Sequence, residues 1–223
     1  MMKEIKAVLF DCDGLMFDTE RISQQMWTEE AALCGVTLPP DFFVRITGGA
    51  SDEDRAYIRA IPGFDKLFSV RARRRFDNEY WKQYSPDRLN KPGLTELFAW
   101  LNEHGYKIAI CSSSGRSYVE TLISTVSGGL KYDAIICGDM VTKTKPDPEI
   151  FLTAAGKLGI SPENCLVLED SRQGIFAADA AGMHSCFIQD TIIPDEAMRA
   201  KIQNERHDLK EVIELLEEWN RQS

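Results

Sequence analysis

The chain has 223 residues, 43% of them hydrophobic, and its 26 basic and 35 acidic side chains give a formal net charge of −9. That acidic balance argues against a general binder of nucleic acid or of anionic membranes, which recruit lysine and arginine. The length supports a sizeable core, as one large domain or one domain with an insertion, and no run of about 18 apolar residues offers a membrane span.

The N-terminus shows no signal-peptide pattern, so a cytoplasmic protein is expected. The cysteines at positions 12, 34, 111, 137, 165 and 186 have no C-x-x-C spacing. They read as reduced, buried small hydrophobes.

Residues 5–10, Ile-Lys-Ala-Val-Leu-Phe, predict a buried strand. It runs into Asp11-Cys12-Asp13-Gly14. Carboxylates at i and i+2 leave a strand on the same side of the pleat. Two like charges so close are unfavourable unless a proton or a cation sits between them. Mg²⁺ typically takes one or two carboxylates alongside water and phosphate oxygens. Taken alone, an acidic pair beside a glycine more often marks a turn. Cys12 lies between the two acids, whose charge opposes its ionisation, so it is not assigned as a nucleophile.

From residue 19 to about 87 the pattern is helical. Thr19 is expected to cap a helix carrying Ile22, Met26 and Leu33, and Pro39-Pro40 breaks the chain. A second helix is predicted over 52–61 and a third over 64–84. In the third, Phe68, Ala72, Phe76, Tyr80 and Tyr84 recur at four-residue steps and are expected to pack in a core.

After Pro92-Gly93 the chain alternates. Helices are predicted at 93–104, 115–124, 148–158 and 172–181, and strands at 107–111, 134–137, 165–168 and 184–188. A last helix opens with a capping-box variant, Asp208-x-x-Glu211. Such alternation predicts an α/β fold with a parallel sheet and helices on both faces. Ligands in such sheets bind outside the C-terminal strand ends.

Three further motifs lie at those ends. The strand at 107–111 runs into Ser112-Ser113-Ser114-Gly115, whose hydroxyls and backbone N–H groups can seat a phosphate or simply cap the next helix. Lys143-Thr144-Lys145-Pro146-Asp147-Pro148 offers a lysine before a helix that Asp147 would cap. Lys145 is preferred to Lys143 because Pro146 restricts the chain beside it. The strand at 165–168 ends in Glu169-Asp170-Ser171. Asp170 is a candidate metal ligand; alternatively both acids favour the positive end of the following helix. That helix is expected to stop at Gly182.

Taken together, Asp-x-Asp-Gly, strand-Ser, Lys-Pro and Glu-Asp, in this order and each at a strand end, resemble the haloacid dehalogenase-like hydrolase superfamily. More narrowly, the chain resembles its small phosphatases and beta-phosphoglucomutases with a helical cap, over nearly its whole length. The resemblance implies a Rossmann-like catalytic core from residues 1–18 and 88–223 and an inserted helical cap, residues 19–87, that selects substrate. It implies Mg²⁺-dependent phosphoryl transfer on a small phosphorylated metabolite, with no nucleic-acid or membrane partner. Asp11 would be the nucleophile that carries an aspartyl-phosphate, and Asp13 the general acid and base. Ser112, Ser113 and Lys145 would hold phosphate oxygens. Asp11, the Asp13 carbonyl and Asp170 would hold the metal, with Glu169 nearby.

Beta-phosphoglucomutases place a histidine in the first cap helix and an arginine in a cap loop. Here His104, His184 and His207 all lie outside 19–87, and the loop Thr47-Gly48-Gly49-Ala50-Ser51 has no arginine. These departures favour a phosphatase over a mutase. Arg45 or an arginine of the segment 71–75 could reach a substrate anion, though a solvated basic face is the plainer reading. A phosphate-accepting sensor resembles the site chemically, but response-regulator receivers are shorter and lack the insertion.

Overall fold

The computed structural model describes residues 4–46 and 52–222. Strand β1 (Ala7–Phe10) leads into α1 (Thr19–Cys34), α2 (Phe42–Ile46), α3 (Asp52–Arg59), α4 (Phe64–Arg75), α5 (Asn78–Lys82) and α6 (Pro86–Leu89). Then come α7 (Leu94–Glu103), β2 (Lys107–Ser112), α8 (Arg116–Ser124), β3 (Ala134–Cys137), α9 (Glu149–Leu158) and β4 (Cys165–Glu169). The chain closes with α10 (Arg172–Ala180), β5 (His184–Ile188), α11 (Glu196–Arg199), β6 (Asn204–Arg206) and α12 (Glu211–Gln222).

The strands form one six-stranded parallel sheet in the order β3-β2-β1-β4-β5-β6. Strands β1, β3 and β4 are buried throughout, which is why they read as continuous apolar runs rather than alternating ones. Val8 and Phe10 face one hydrophobic cluster, with Leu97, Phe98 and Leu216; Ala7 and Leu9 face the other. In that second cluster Ala154, Ala155, Ala177 and Ala178 let α9 and α10 lie close to the sheet. The predicted α/β fold with a Rossmann-like parallel sheet is the observed one.

The register matters for function. Phe10 pairs with Ile110 of β2 and with Leu168 of β4. The residue after Phe10 therefore leaves the sheet between the ends of two neighbours, where strand order reverses and crevices form.

Three expectations need correction. The predicted helix over 64–84 is broken. After α4 the Asp77 side chain accepts from the Glu79 N–H at 3.0 Å and caps α5, while the Trp81 indole donates to the Arg75 carbonyl at 2.6 Å. The four-residue stripe crosses this break, so it does not keep one face: Tyr80 is buried, whereas Phe68 and Phe76 are exposed, as is Leu33 of α1. Second, β6 was absent from the sequence reading because Asn204-Glu205-Arg206 is a polar edge strand, paired to Cys186–Ile188. Third, Thr19 does not cap α1. It lies inside the helix, Asp18 holds the cap position with its carboxylate turned to Arg21 and Arg88 rather than to the helix N–H groups, and the Thr19 hydroxyl is directed to Asp13. Cys34 is half-buried; the other cysteines are buried, and all are free thiols.

The helices α1 to α4 carry their own hydrophobic cluster of Trp27, Phe42, Ile58, Phe64 and Leu67, whereas Tyr80 and Trp81 of α5 and Leu89 of α6 pack into the sheet's cluster. Trp27 stacks on Phe64 at 5.9 Å and meets Phe42 edge-on at 5.2 Å. The chain enters and leaves this block through two adjacent crossings. They are tied by Asp18 N–H to Leu89 O at 2.7 Å and Lys91 N–H to Met16 O at 2.9 Å. No helix among the described residues is long and apolar enough to cross a membrane.

Candidate active site

Asp11 continues β1, its N–H donating to the Leu168 carbonyl at 3.1 Å. The loop between β3 and α9 brings Lys145 to it. The Lys145 ammonium donates to Asp11 Oδ1 at 2.5 Å, to Glu169 Oε1 at 2.6 Å and to the Cys111 carbonyl at 3.0 Å. All three donors are thus matched, and the side chain is 4% exposed. Burial opposes its charge, but the Asp11 and Glu169 carboxylates hold its pKa well above the ordinary lysine value.

Glu169 is fully buried at the end of β4. Its Oε2 accepts from the Asp170 N–H, the Ser171 N–H and the Ser171 hydroxyl at 2.9–3.1 Å. Ser171 also caps α10, accepting from the Gly174 N–H at 3.0 Å. Gly174 is required by close approach: a Cβ there would sit 1.7 Å from Glu169 Oε1.

Asp11, Glu169 and Asp170 each offer an oxygen within 4.8 Å of the others. Burial pushes the Asp170 carboxyl far up, and the charges of Asp11 and Glu169 add to it. Burial likewise raises Asp11, against the pull of Lys145. One ammonium therefore does not neutralise three buried carboxylates. Glu169 has both oxygens engaged, whereas Asp170 Oδ1 is buried without a hydrogen-bond partner. Hard carboxylate oxygens, an excess of buried negative charge and an orphaned oxygen suit a divalent cation. Gly14 makes room beside them: its φ is +83°, and a Cβ would lie 2.2 Å from Asp170 Oδ2.

Asp13 faces a different set. Its Oδ1 accepts from Thr19 Oγ1 at 2.9 Å, Tyr118 OH at 2.7 Å and Arg75 Nη2 at 3.2 Å, and its Oδ2 from Ser114 Oγ at 2.8 Å. Burial would raise its carboxyl, but the Arg75 charge and these hydroxyls hold it below the usual value. The two acids of the motif therefore have opposite environments.

Asp11, Asp13, Ser112, Ser113, Lys145 and Asp170 line one cleft of about 360 Å³. Ser112 is buried, and its Oγ accepts from the Ser114 N–H at 3.0 Å. None of these serines caps α8: Gly115 holds that position, and the Asp139 carboxylate accepts from the Arg116 N–H at 3.1 Å. Asp147 accepts from the Glu149 N–H at 3.0 Å but does not hold the cap position expected of it: Pro148 does, and α9 starts at Glu149, one residue later than expected. Arg45 is paired with Asp41 and Asp54, at 2.7 and 2.9 Å. The loop 47–51 lies outside the described residues.

Thr19, Ser114 and Tyr118 were not read from the sequence as partners of Asp13, nor was Arg75. The hydroxyls look like caps or core, and only the folded chain brings α1, α4 and α8 to one carboxylate.

A model of the haloacid dehalogenase-like hydrolase family matches residues 5–182. The chain belongs to the haloacid dehalogenase-like hydrolase family. Among curated relatives of this hydrolase, Protein CbbY of Rhodobacter capsulatus is 30% identical, covering 81% of this chain and 83% of its own length. A phosphorylated carbohydrates phosphatase of Thermotoga maritima is 28% identical over 82% and 84% of the two chains. A beta-phosphoglucomutase of Bacillus subtilis is 29% identical over 80% and 81%. The hydrolase spans only 18% of one Arabidopsis thaliana relative, at 31% identity, and 62% of another, at 34%. The crystal structure of CbbY from Rhodobacter sphaeroides in complex with phosphate shares the fold, with a TM-score of 0.71 and 24% identity over 93% of this chain and 96% of that one.

Proposed function

We propose that this hydrolase is a Mg²⁺-dependent phosphatase acting on a small phosphorylated metabolite, a sugar phosphate or sugar-acid phosphate. The observation that carries the reading is the buried convergence of Asp11, Lys145, Glu169 and Asp170 at the switch of strand order. The names of the relatives, a phosphorylated carbohydrates phosphatase among them, support the substrate class.

Asp11 and Asp170 would hold the cation, with the Asp13 main-chain carbonyl and with Glu169 nearby. When bound, Mg²⁺ would neutralise charge between an anionic nucleophile and an anionic ester. A carboxylate oxygen of Asp11 attacks phosphorus and forms an aspartyl-phosphate as the bond to the leaving oxygen breaks. Asp13 would take up a proton from solvent once Arg75 and the hydroxyls release it, deliver that proton to the leaving oxygen, and then take one from the water that attacks the aspartyl-phosphate and releases inorganic phosphate. Lys145, Ser112 and Ser113 hold the transferring oxygens. Glu169 acts mainly through Lys145, whose position it fixes. Residues 19–87 form the cap that selects the leaving group.

A mutase reading has the Bacillus relative in its favour. Against it, no histidine lies within residues 19–87. The first experiment is inorganic phosphate release from a panel of small phosphate esters, with Mg²⁺ and with chelator. The panel includes beta-glucose 1-phosphate, with glucose 6-phosphate followed in parallel. Metal-dependent release is expected, abolished by Asp11→Asn with the fold intact. Isomer formation without phosphate would replace the phosphatase by the mutase, and near wild-type turnover in Asp11→Asn would remove the nucleophile assignment.

A further inference from the structure

Beside the catalytic cleft lies a second cavity of about 790 Å³, walled by helices of the insertion. Glu20 and Ile46 line both, so the two spaces adjoin. Trp27, Ile58, Phe64 and Phe68 give the second cavity apolar walls. Four arginines also line it, Arg71 and Arg75 from α4 and Arg55 and Arg59 from α3, against two carboxylates, Glu20 and Asp65. In a chain of net charge −9, that local excess of positive charge runs against the whole.

Arg75 is already committed to Asp13, at 3.2 Å. Arg71 is not matched in this way. Its guanidinium lies over the Trp27 ring, 4.5 Å from the centroid, and one Nη donates to the Ser23 hydroxyl. Its Nε is buried with no hydrogen-bond partner, and among the described residues Arg71 forms no salt bridge. Burial and the charge of Arg75 push its pKa down to about 10, which still leaves it charged at neutral pH. A largely buried guanidinium with an unmet donor is unfavourable until an anion meets it. The planar fork suits a carboxylate or a phosphate, and stacking on Trp27 holds the fork in place.

We infer that this cavity is a subsite for a second anionic group on the substrate, a carboxylate or a second phosphate, gripped by Arg71 at the far end from the transferring phosphoryl group. The apolar walls would flank the carbon skeleton between. The inference rests on the reading of the first cleft as the phosphate site, and it selects doubly anionic esters over neutral ones within the class proposed above.

The test uses matched pairs: 6-phosphogluconate against glucose 6-phosphate for a carboxylate, and fructose 1,6-bisphosphate against fructose 6-phosphate for a phosphate. Binding to the Asp11→Asn protein is measured by calorimetry with Mg²⁺, so turnover is not needed. In at least one pair the doubly anionic member is expected to bind about 10- to 100-fold more tightly. Which pair shows the preference tells carboxylate from phosphate. Adding Arg71→Met should bring that ratio close to one. Arg71→Lys, which keeps the charge and loses the fork, should lower it in part and serves if the methionine variant does not fold. No preference in either pair, or a ratio that survives both substitutions, overturns the subsite. Phosphate release by the unsubstituted chain separates the two readings. Release with no preference sinks the subsite alone, whereas an Arg71-dependent preference without release sinks the phosphatase and leaves the subsite standing.

Discussion

At the scale of single residues, Lys145 organises the site. One ammonium lies between Asp11 and Glu169, both buried, and is itself only 4% exposed. Removing it leaves two like charges facing each other in a medium that solvates neither. Breaking such a buried pair from one side typically costs about 3–5 kcal/mol. Lys145→Met is therefore expected to destabilise the fold by that order in urea unfolding with chelator, and by clearly less with saturating Mg²⁺, because the cation supplies part of the missing charge. Equal losses under both conditions would mean that the cation does not share this field. Lys145 was legible in the sequence because a proline follows it and a helix start follows the proline. The acid pair was legible because both residues follow an unmistakable buried strand. Tyr118 was not: a tyrosine inside an amphipathic helix reads as core, and nothing local says that its hydroxyl meets Asp13 at 2.7 Å.

Elements show the same division. Strands β1 to β5 were visible because their interiors are buried and mostly apolar, whereas β6, an edge of Asn, Glu and Arg, carries no hydrophobic signal. The stripe over 64–84 misled because periodicity cannot see a break made by Asp77 and Trp81. Glycines within helices also look alike in sequence and differ in space. Gly156 of α9 has nothing within 4 Å of where a Cβ would go, but at Gly174 of α10 a Cβ would strike Glu169. Gly156→Ala is expected to stabilise by about 0.5–1 kcal/mol through the lower backbone entropy of the unfolded chain. Gly174→Ala should destabilise and also impair turnover, because the displaced carboxylate is the one that holds Lys145. Thermal melts of both variants, with phosphate release for the second, check the contrast. Stabilisation of both would show that Glu169 moves freely.

At the scale of the whole molecule, the helical block is joined to the sheet by two crossings, by the packing of Ile22, Met26, Trp81 and Leu89 into the sheet's own cluster, and by a small set of ion pairs. Asp18 accepts from Arg21 at 2.7 Å and Arg88 at 2.5 Å; Asp190, after β5, accepts from Arg21 at 2.6 Å and Lys91 at 2.7 Å. These pairs are not equivalent. The Arg88 side chain is 45% exposed, so its charge is screened by solvent, whereas Lys91 is 13% exposed and Asp190 only 1%. Exposed pairs contribute about 0–1 kcal/mol, and salt weakens them. Asp190 already has its other oxygen buried without a partner. Losing Lys91 would leave Arg21 as its sole cation among the described residues, and an under-satisfied buried charge costs about 1–3 kcal/mol or more. Lys91→Met should therefore lower unfolding stability by at least that amount with little dependence on salt. Arg88→Met should change it by less than about 1 kcal/mol, and the change should shrink as salt is raised. Urea unfolding of both variants at low and high ionic strength separates them. If Arg88→Met were as costly as Lys91→Met, burial would not be what ranks these contacts, and the crossing would be held by its surface charges instead.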